Sequence, residues 1–425
     1  MSIDRKQAPS IVDAVDFDLL LPKVESFTLR NGVPVYAFNG GAEEVMSIEW
    51  VFWSGNSYET ANLEAATANF LLRNGTSNKT AFQINDFFEY HGAFLQRSCF
   101  NETATISLHG LSKHLDVLLP LVRELIVDSV MPADELSTYV QNMKQRLSVS
   151  LKKCDFVAGR LIDAYLFGED HPYGKYTKAP DFDRLSREQL LSFYDRYYRN
   201  GEFMLFVAGK LPANFREALD QYFGDLPNGK VDRPVHAFQP AAQKKYRIEN
   251  DPNGVQGAIR LARAFPSRTH PDFQPSMILN TVFGGFFGSR LMSNIREDKG
   301  YTYGIHSYLM NLMQSSGWMV STEAGKDVCE ATIQEVYKEM RILREELIDD
   351  EELSLVKNYL MGSLLGDLDG PFQIIGRWKN LILNGCTDEY FYNTIRTIKS
   401  VTPEQLRELA QQYLQEEDFY ELVVV

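Results

Sequence analysis

The stretch Ser289 to Leu309, SRLMSNIREDKGYTYGIHSYL, holds the chain's clearest candidates for chemistry. A helix ending in Arg296 is expected to pass through a charged turn at Gly300 into an alternating strand, which places Tyr303 seven residues after Arg296. A guanidinium and a phenol brought together in this way can hold a peptide carbonyl and donate a hydrogen bond to a developing oxyanion. A surface arginine and a strand tyrosine have the same spacing, so spacing alone leaves both readings open. Just upstream, GGFFGS at Gly284 to Ser289 is glycine-rich but has no lysine to make a phosphate cradle. Close backbone approach of Gly284, Gly285 and Gly288 to a helix, a partner or a peptide is the physical use left, with a plain loop as the other reading.

Other catalytic constellations are missing from the sequence. A zinc hydrolase helix needs two histidines four apart with a glutamate that activates the water. The seven histidines, His91, His109, His114, His171, His236, His270 and His306, contain no such pair. His109 and His114 are the closest two, and capping or surface roles fit them better than metal ligation. There is no GxSxG elbow, P-loop or strand-linked GxGxxG. Cys99, Cys154, Cys329 and Cys386 are scattered without a CxxC, which suits reduced thiols used in packing.

The elements that must position these residues are legible as a repeat. SREQLLSFYDRYYRNGEFMLFVAGKL from Ser186 and TPEQLRELAQQYLQEEDFYELVVV from Thr402 align without a gap, with Gln189, Leu190, Tyr197 and Phe203 each 216 positions before Gln405, Leu406, Tyr413 and Phe419. In each copy a Ser or Thr with Gln three residues later predicts a capping box, and an apolar strand follows. DELS at Asp134 is answered by EELS at Glu351. Two copies of one domain are expected, 1–227 and 244–425, joined by a linker at 228–243 that is rich in proline and has no apolar period.

Within the first copy, VESFTLRNGVPVYAF reads as a hairpin about Asn31-Gly32, followed by the strand VMSIEWVFW. Helices are expected at about Thr60 to Arg73 and Phe82 to His91, with strands flanking SCFNET and long helices from Ser112 and Pro132. Strands early and late with helices between them predict an α+β fold, each domain a mostly antiparallel sheet packed against helices. With 57 acidic and 43 basic residues, the formal net charge of -14 disfavours phosphate-driven nucleic-acid binding. No apolar run reaches the roughly 18 residues of a membrane span, and MSIDRKQAPSIVDAVDF lacks the apolar centre of a secretory leader, so a cytoplasmic location is expected.

The segment Ser289 to Leu309 resembles the carboxyl-domain signature of the pitrilysin and insulinase zinc peptidases, the inverzincins, in which a glycine-containing loop precedes SRL, RE, Gly and Tyr in that order. FTLRNGVPVYAF is similar to that family's opening hairpin, HPYGK at His171 to Lys175 to its mid-domain loop, and the duplicated α+β halves to its architecture. The resemblance implies that Arg296 and Tyr303 contact substrate near a zinc site. Aligned on Gly75-Thr76, it also puts Ala66, Asn69 and Phe70 where the family has its first histidine, its glutamate and its second histidine. Leu136 to Lys153, where the third ligand is expected, contains no acid. Methyl, amide and phenyl groups cannot bind Zn2+ or deprotonate its water, so this chain is expected to hold no metal and no cofactor of its own. Leu63, Ala66 and Phe70 are instead expected to form an apolar stripe, packed as core or interface.

The resemblance therefore implies the noncatalytic subunit of a heterodimeric zinc metalloendopeptidase acting on extended or unfolded peptides. Its partner would be a homologous subunit carrying HxxEH and the zinc ion, with Tyr303 and Arg296 supplied in trans and Gly284, Gly285 and Gly288 lining the substrate. A structural or peptide-binding pseudopeptidase is the alternative, and a homodimer is left open. An independent hydrolase has no constellation to support it.

Overall fold

A computed structural model describes residues 12–425. The described residues separate into two compact units, one made of those up to Pro22 with Arg263–Asp369 and Leu381–Phe419, the other of Lys23–Ala262, Gly370–Asn380 and Tyr420–Val425. The strands are β1 (Glu25–Thr28), β2 (Pro34–Asn39), β3 (Val45–Phe52), β4 (Phe94–Cys99), β5 (Ala104–Leu111), β6 (Phe203–Gly209), β7 (Lys245–Ile248), β8 (Gln256–Phe265), β9 (Thr302–Asn311), β10 (Ser316–Gly325) and β11 (Tyr420–Val424). The fold is α+β with two sheets, as expected.

The first sheet has the order β1-β2-β6-β3-β5-β4. β2 runs parallel to β6, and the other pairs are antiparallel. Its hairpin turns at Gly32, whose φ of +83° is open to glycine at no steric cost. The second sheet has the order β7-β11-β8-β10-β9, the same succession without a counterpart of β1, and its one parallel pair among those registered, β7 with β11, is the counterpart of β2 with β6. The repeat seen in the sequence is thus a repeat of strand order.

Helices α1 (Glu64–Leu71), α2 (Ala81–Tyr90), α3 (Leu115–Asp128), α4 (Ala133–Ser150), α5 (Cys154–Phe167), α6 (Ala179–Arg184), α7 (Arg187–Tyr194) and α8 (Phe215–Phe223) precede the linker, and among them α5 packs on β7 and β11 of the second sheet. Trp50 of β3, Ile106 and Leu108 of β5 and Leu205 of β6 share one core with Ala65, Ala68 and Leu71 of α1 and Leu118, Leu119 and Val122 of α3. Each large side chain buried there contributes about 1.5–3 kcal/mol of transfer free energy. The alternation of β3 and β5 and the helical spacing of α3 meet on this face, which is why the segment folds as sheet under helix.

Beyond the linker come α9 (Phe273–Asn280), α10 (Cys329–Glu345), α11 (Asp350–Gly366), α12 (Pro371–Leu383), α13 (Asp388–Ser400) and α14 (Pro403–Tyr413). Two π-helical segments, Thr281–Gly285 and Met292–Asp298, flank the GGFFGS loop. Both expected capping boxes are formed. Gln189 N donates to Ser186 Oγ at 3.2 Å and Ser186 N to Gln189 Oε1 at 3.1 Å, with the same exchange between Thr402 and Gln405 at 3.4 and 3.1 Å.

Segment 228–243 has no regular structure, yet it is tied along its length to its own unit. Val231 N donates to Glu202 Oε2 at 3.0 Å, the Arg233 guanidinium lies 3.8 Å from the Trp53 ring centroid, and Gln239 N and Ala241 N donate to Phe167 O and Tyr165 O at 3.1 and 2.8 Å. It is a strap more than a tether.

Candidate functional site

Arg296 lies in the last turn of the segment Met292–Asp298. Gly300, at φ +66°, then reverses the chain into β9. The reversal leaves the guanidinium carbon 5.8 Å from the Tyr303 ring centroid and 4.6 Å from that of Phe287. Both rings are open to solvent, Tyr303 being 93% exposed and Phe287 64%. An exposed cation over a ring contributes about 0.5–1 kcal/mol, enough to bias the side chains toward one another without fixing them. Among the described residues Arg296 forms no ion pair and the Tyr303 hydroxyl no hydrogen bond. The pair therefore presents its donors outward. Phe287 is a member of this cluster that the sequence reading missed, although the exposed aromatic beside three glycines of GGFFGS was the available signal.

The three glycines differ. Gly284 is buried, and a Cβ there would stand 2.7 Å from Ser307 Cβ and 2.9 Å from Leu291 Cδ1. Its glycine serves the approach of Thr281–Gly285 to β9, whereas Gly285 and Gly288 are exposed on either side of Phe287. Beneath them, Asn280 Nδ2 donates to Ser307 O at 3.0 Å, Ser307 Oγ to Asn280 Oδ1 at 2.7 Å, and Trp318 Nε1 to Ser307 Oγ at 2.8 Å. Asn280, Ser307 and Trp318 thus satisfy one another beneath the site, which makes β9 a firm base for Tyr303. Gly284→Ala is expected to destabilise the protein by about 1–3 kcal/mol through overpacking, read as a lowered thermal midpoint. An unchanged midpoint would mean that β9 yields.

The positions that the resemblance matches to metal ligands lie in the other unit, on α1. This helix starts after Leu63, held at φ +79°, and is shorter than the expected Thr60 to Arg73. Its core face is Ala65, Ala68 and Leu71. Leu63 and Ala66 are only half-buried and Phe70 is 39% exposed, so the expected apolar stripe is not packed core but the outer face of the helix. The helix rolls this way because the small Ala65 and Ala68 let it sit close on the sheet. Asn69 is turned inward, its Nδ2 donating to Tyr198 Oη at 3.1 Å and to Thr105 O at 3.3 Å. Phe70 packs on Tyr139 of α4 with ring centroids 4.6 Å apart, and the Arg97 guanidinium lies 4.9 Å from its centroid. Glu135, just ahead of the acid-free stretch, accepts from Asn74 Nδ2 at 2.8 Å. A methyl group, an inward-bonded amide and a stacked phenyl ring do not fit a zinc ion. Among the described residues no set of three or more His, Cys, Asp and Glu is placed to hold a metal.

The HPYGK loop is structural. His171 is buried, accepts from Tyr173 N through Nδ1 at 3.1 Å, and stacks on Phe238 of the strap at 4.3 Å. Burial, with His236 nearby, pushes its pKa down to about 4.

Residues 184–360 match the family described as the Peptidase M16 inactive domain. The chain is 24% identical over 349 residues to an uncharacterized zinc protease of Rickettsia felis, covering 79% of this chain and 82% of that one. It is 21% identical over 403 residues to the uncharacterized zinc protease YmxG of Bacillus subtilis, covering 93% and 96%. Its fold matches the crystal structure of a peptidase M16 inactive domain from Pseudomonas fluorescens with a TM-score of 0.85 at 23% identity, over 94% and 98% of the two chains. The family match over 184–360 agrees with the resemblance to the pitrilysin and insulinase peptidases read from the sequence, and the structural likeness extends to the fold of nearly the whole chain. No helix among the described residues is long and apolar enough to cross a membrane.

Proposed function

We propose that this chain is the noncatalytic, substrate-binding subunit of a two-chain zinc endopeptidase of the cytoplasm. The homologous partner carries HxxEH and the zinc ion, and Arg296 and Tyr303 reach the substrate in the partner's site. The observation that supports this is the Arg296 guanidinium beside the exposed Tyr303 ring with no protein partner for either polar group. A ready donor pair on a chain whose ligand positions hold methyl, amide and phenyl groups has use only with chemistry brought from outside. The substrate is an extended or unfolded peptide. Its carbonyl is held by the guanidinium, while the phenol donates to the oxygen on which charge develops. Phe287 with Gly285 and Gly288 offers an apolar ring between two places without side chains. The sequence halves 1–227 and 244–425 are the two domains of this subunit.

The test starts from isolation of the chain from its own cell at low salt, followed by reconstitution with any stoichiometric HxxEH-bearing partner. Tyr303→Phe is expected to lower kcat at least about tenfold with little change in folding, because only a transition-state hydrogen bond is removed. Unchanged turnover would remove Tyr303 from the reaction. Recovery of a stable homodimer that binds peptides without such a partner would move the function to a peptide-binding or structural pseudopeptidase.

A further inference from the structure

Edge strand β4 alternates in exposure. Phe94, Gln96 and Ser98 face solvent, while Leu95 is buried and Arg97 and Cys99 are half-buried on the side of α1. Arg97 thus occupies an inward position, where an edge strand over a core ordinarily takes an apolar residue. Its Nη1 donates to Phe70 O, Nε is buried without a partner, and the guanidinium lies 4.9 Å from the Phe70 ring centroid. No carboxylate of the described residues pairs with it, and Nη2 makes no hydrogen bond.

The charge of a second cation acts on Arg97. Arg73, two residues beyond α1, donates through Nη1 to Leu95 O at 2.8 Å. Glu89 acts on Arg73 from a distance but forms no ion pair with it. Burial, with the charge of Arg73, pushes the Arg97 pKa down to about 9. Two guanidiniums left without a counterion beside the end of α1 are costly to the fold, and such cost is retained where a ligand repays it.

We propose that the seam between α1 and β4 binds a peptide carboxylate, with Arg97 as its anchor and Arg73 as the second cation. Guanidinium forks match a carboxylate in two parallel hydrogen bonds, and partial burial strengthens the pairing beyond its worth in water. Phe70, at the position of the second metal-ligating histidine in the resemblance, holds that guanidinium by its ring and its carbonyl oxygen. The positive charge at the degenerate site is thereby organic and fixed. The inference rests on the peptide-binding reading above and names what part of a peptide this unit recognises. The carboxylate comes from a chain terminus or from an acidic side chain.

The test uses the full chain and an extended fluorescent octapeptide in three forms: free carboxyl terminus, amidated terminus, and amidated terminus with one internal glutamate. Binding is read by anisotropy. The free acid or the glutamate form is expected to bind at least about tenfold more tightly than the plain amide, and Arg97→Gln to abolish that preference. Preference for the first form assigns the terminus, and for the second the side chain. Arg97→Met, with its melting curve, guards against loss of fold, since removing an orphaned cation is expected to leave the midpoint unchanged or raised. Equal binding of all three forms, or a preference that survives Arg97→Gln, overturns the inference while the peptide-binding reading stands. If no form binds, both fall. Increased self-association of Arg97→Gln without any carboxylate preference would assign Arg97 instead to guarding the strand edge, and also overturns it.

Discussion

Glu352→Gln is expected to lower the stability of the protein by about 3 kcal/mol, seen as a reduced denaturant midpoint. Arg290 Nε and Nη2 donate to Glu352 Oε1 and Oε2 at 2.8 and 2.7 Å, a fork on a fork, and both side chains are at least three-quarters covered. Removing one partner leaves the guanidinium in a poorly solvated place with a weaker neutral acceptor. The cost comes from that orphaned charge more than from the pair, so Arg290→Met together with Glu352→Leu should recover most of it. A single-variant cost below about 0.5 kcal/mol would class the pair with solvated surface bridges. The same link exists in the first copy as Asn74 to Glu135, 216 and 217 positions earlier. The repeat has kept the cross-tie from loop to long helix while changing its chemistry.

The second large effect concerns acid. In the folded chain His171 accepts the Tyr173 N–H, which puts its single proton on the buried Nε2. A second proton would have to enter at Nδ1, breaking that bond and placing a charge among Phe167, Tyr173 and Phe238. The folded pKa of about 4 therefore lies below the ordinary value of 6.5. Above the ordinary value the imidazole is neutral in both states and its contribution is fully present. As the pH falls from there toward 4 the unfolded chain takes up the proton first, and about 2–3 kcal/mol is lost. Asp163, pushed up by burial to about 7, and Glu59 and Glu102, also raised by burial, bind protons in the folded state and act in the opposite direction. The His171 contribution is accordingly read as the difference between wild type and His171→Gln, which should narrow by that amount between pH 7.5 and 4.5. Parallel pH profiles for the two proteins would show that the strap opens to let His171 protonate freely.

Much of the framework was legible because its signals are local. Asn31-Gly32 gives a turn by its own backbone preference, and Ser186 with Gln189 or Thr402 with Gln405 cap a helix within three residues. The repeat then carried the strand order from one half to the other. What escaped depends on residues far apart in the chain. Nothing near Phe70 says that Tyr139 will cover it, or that Arg97 will turn inward from an edge strand. The stripe Leu63, Ala66 and Phe70 has a fair helical period, but the closer fit of Ala65 and Ala68 to the sheet decides which face is buried. Likewise Arg296 and Tyr303 could be named from their spacing and the family resemblance, while Phe287 joined them only through the two π-helical segments that no periodicity announces.

The stack of Tyr139, Phe70 and Arg97 also bears on the history of the chain. Metal chemistry of the kind the resemblance implies would require His at 66 and 70 and Glu at 69, together with an acid somewhere in Leu136 to Lys153. The first change at Phe70 takes the ring away from Tyr139 and Arg97, and the change at Asn69 breaks its two hydrogen bonds to Tyr198 and Thr105. Each step weakens the fold before any ligand set is complete, so selection meets only losses along the way. The packing that fills this face of α1 acts as a ratchet against metal chemistry there.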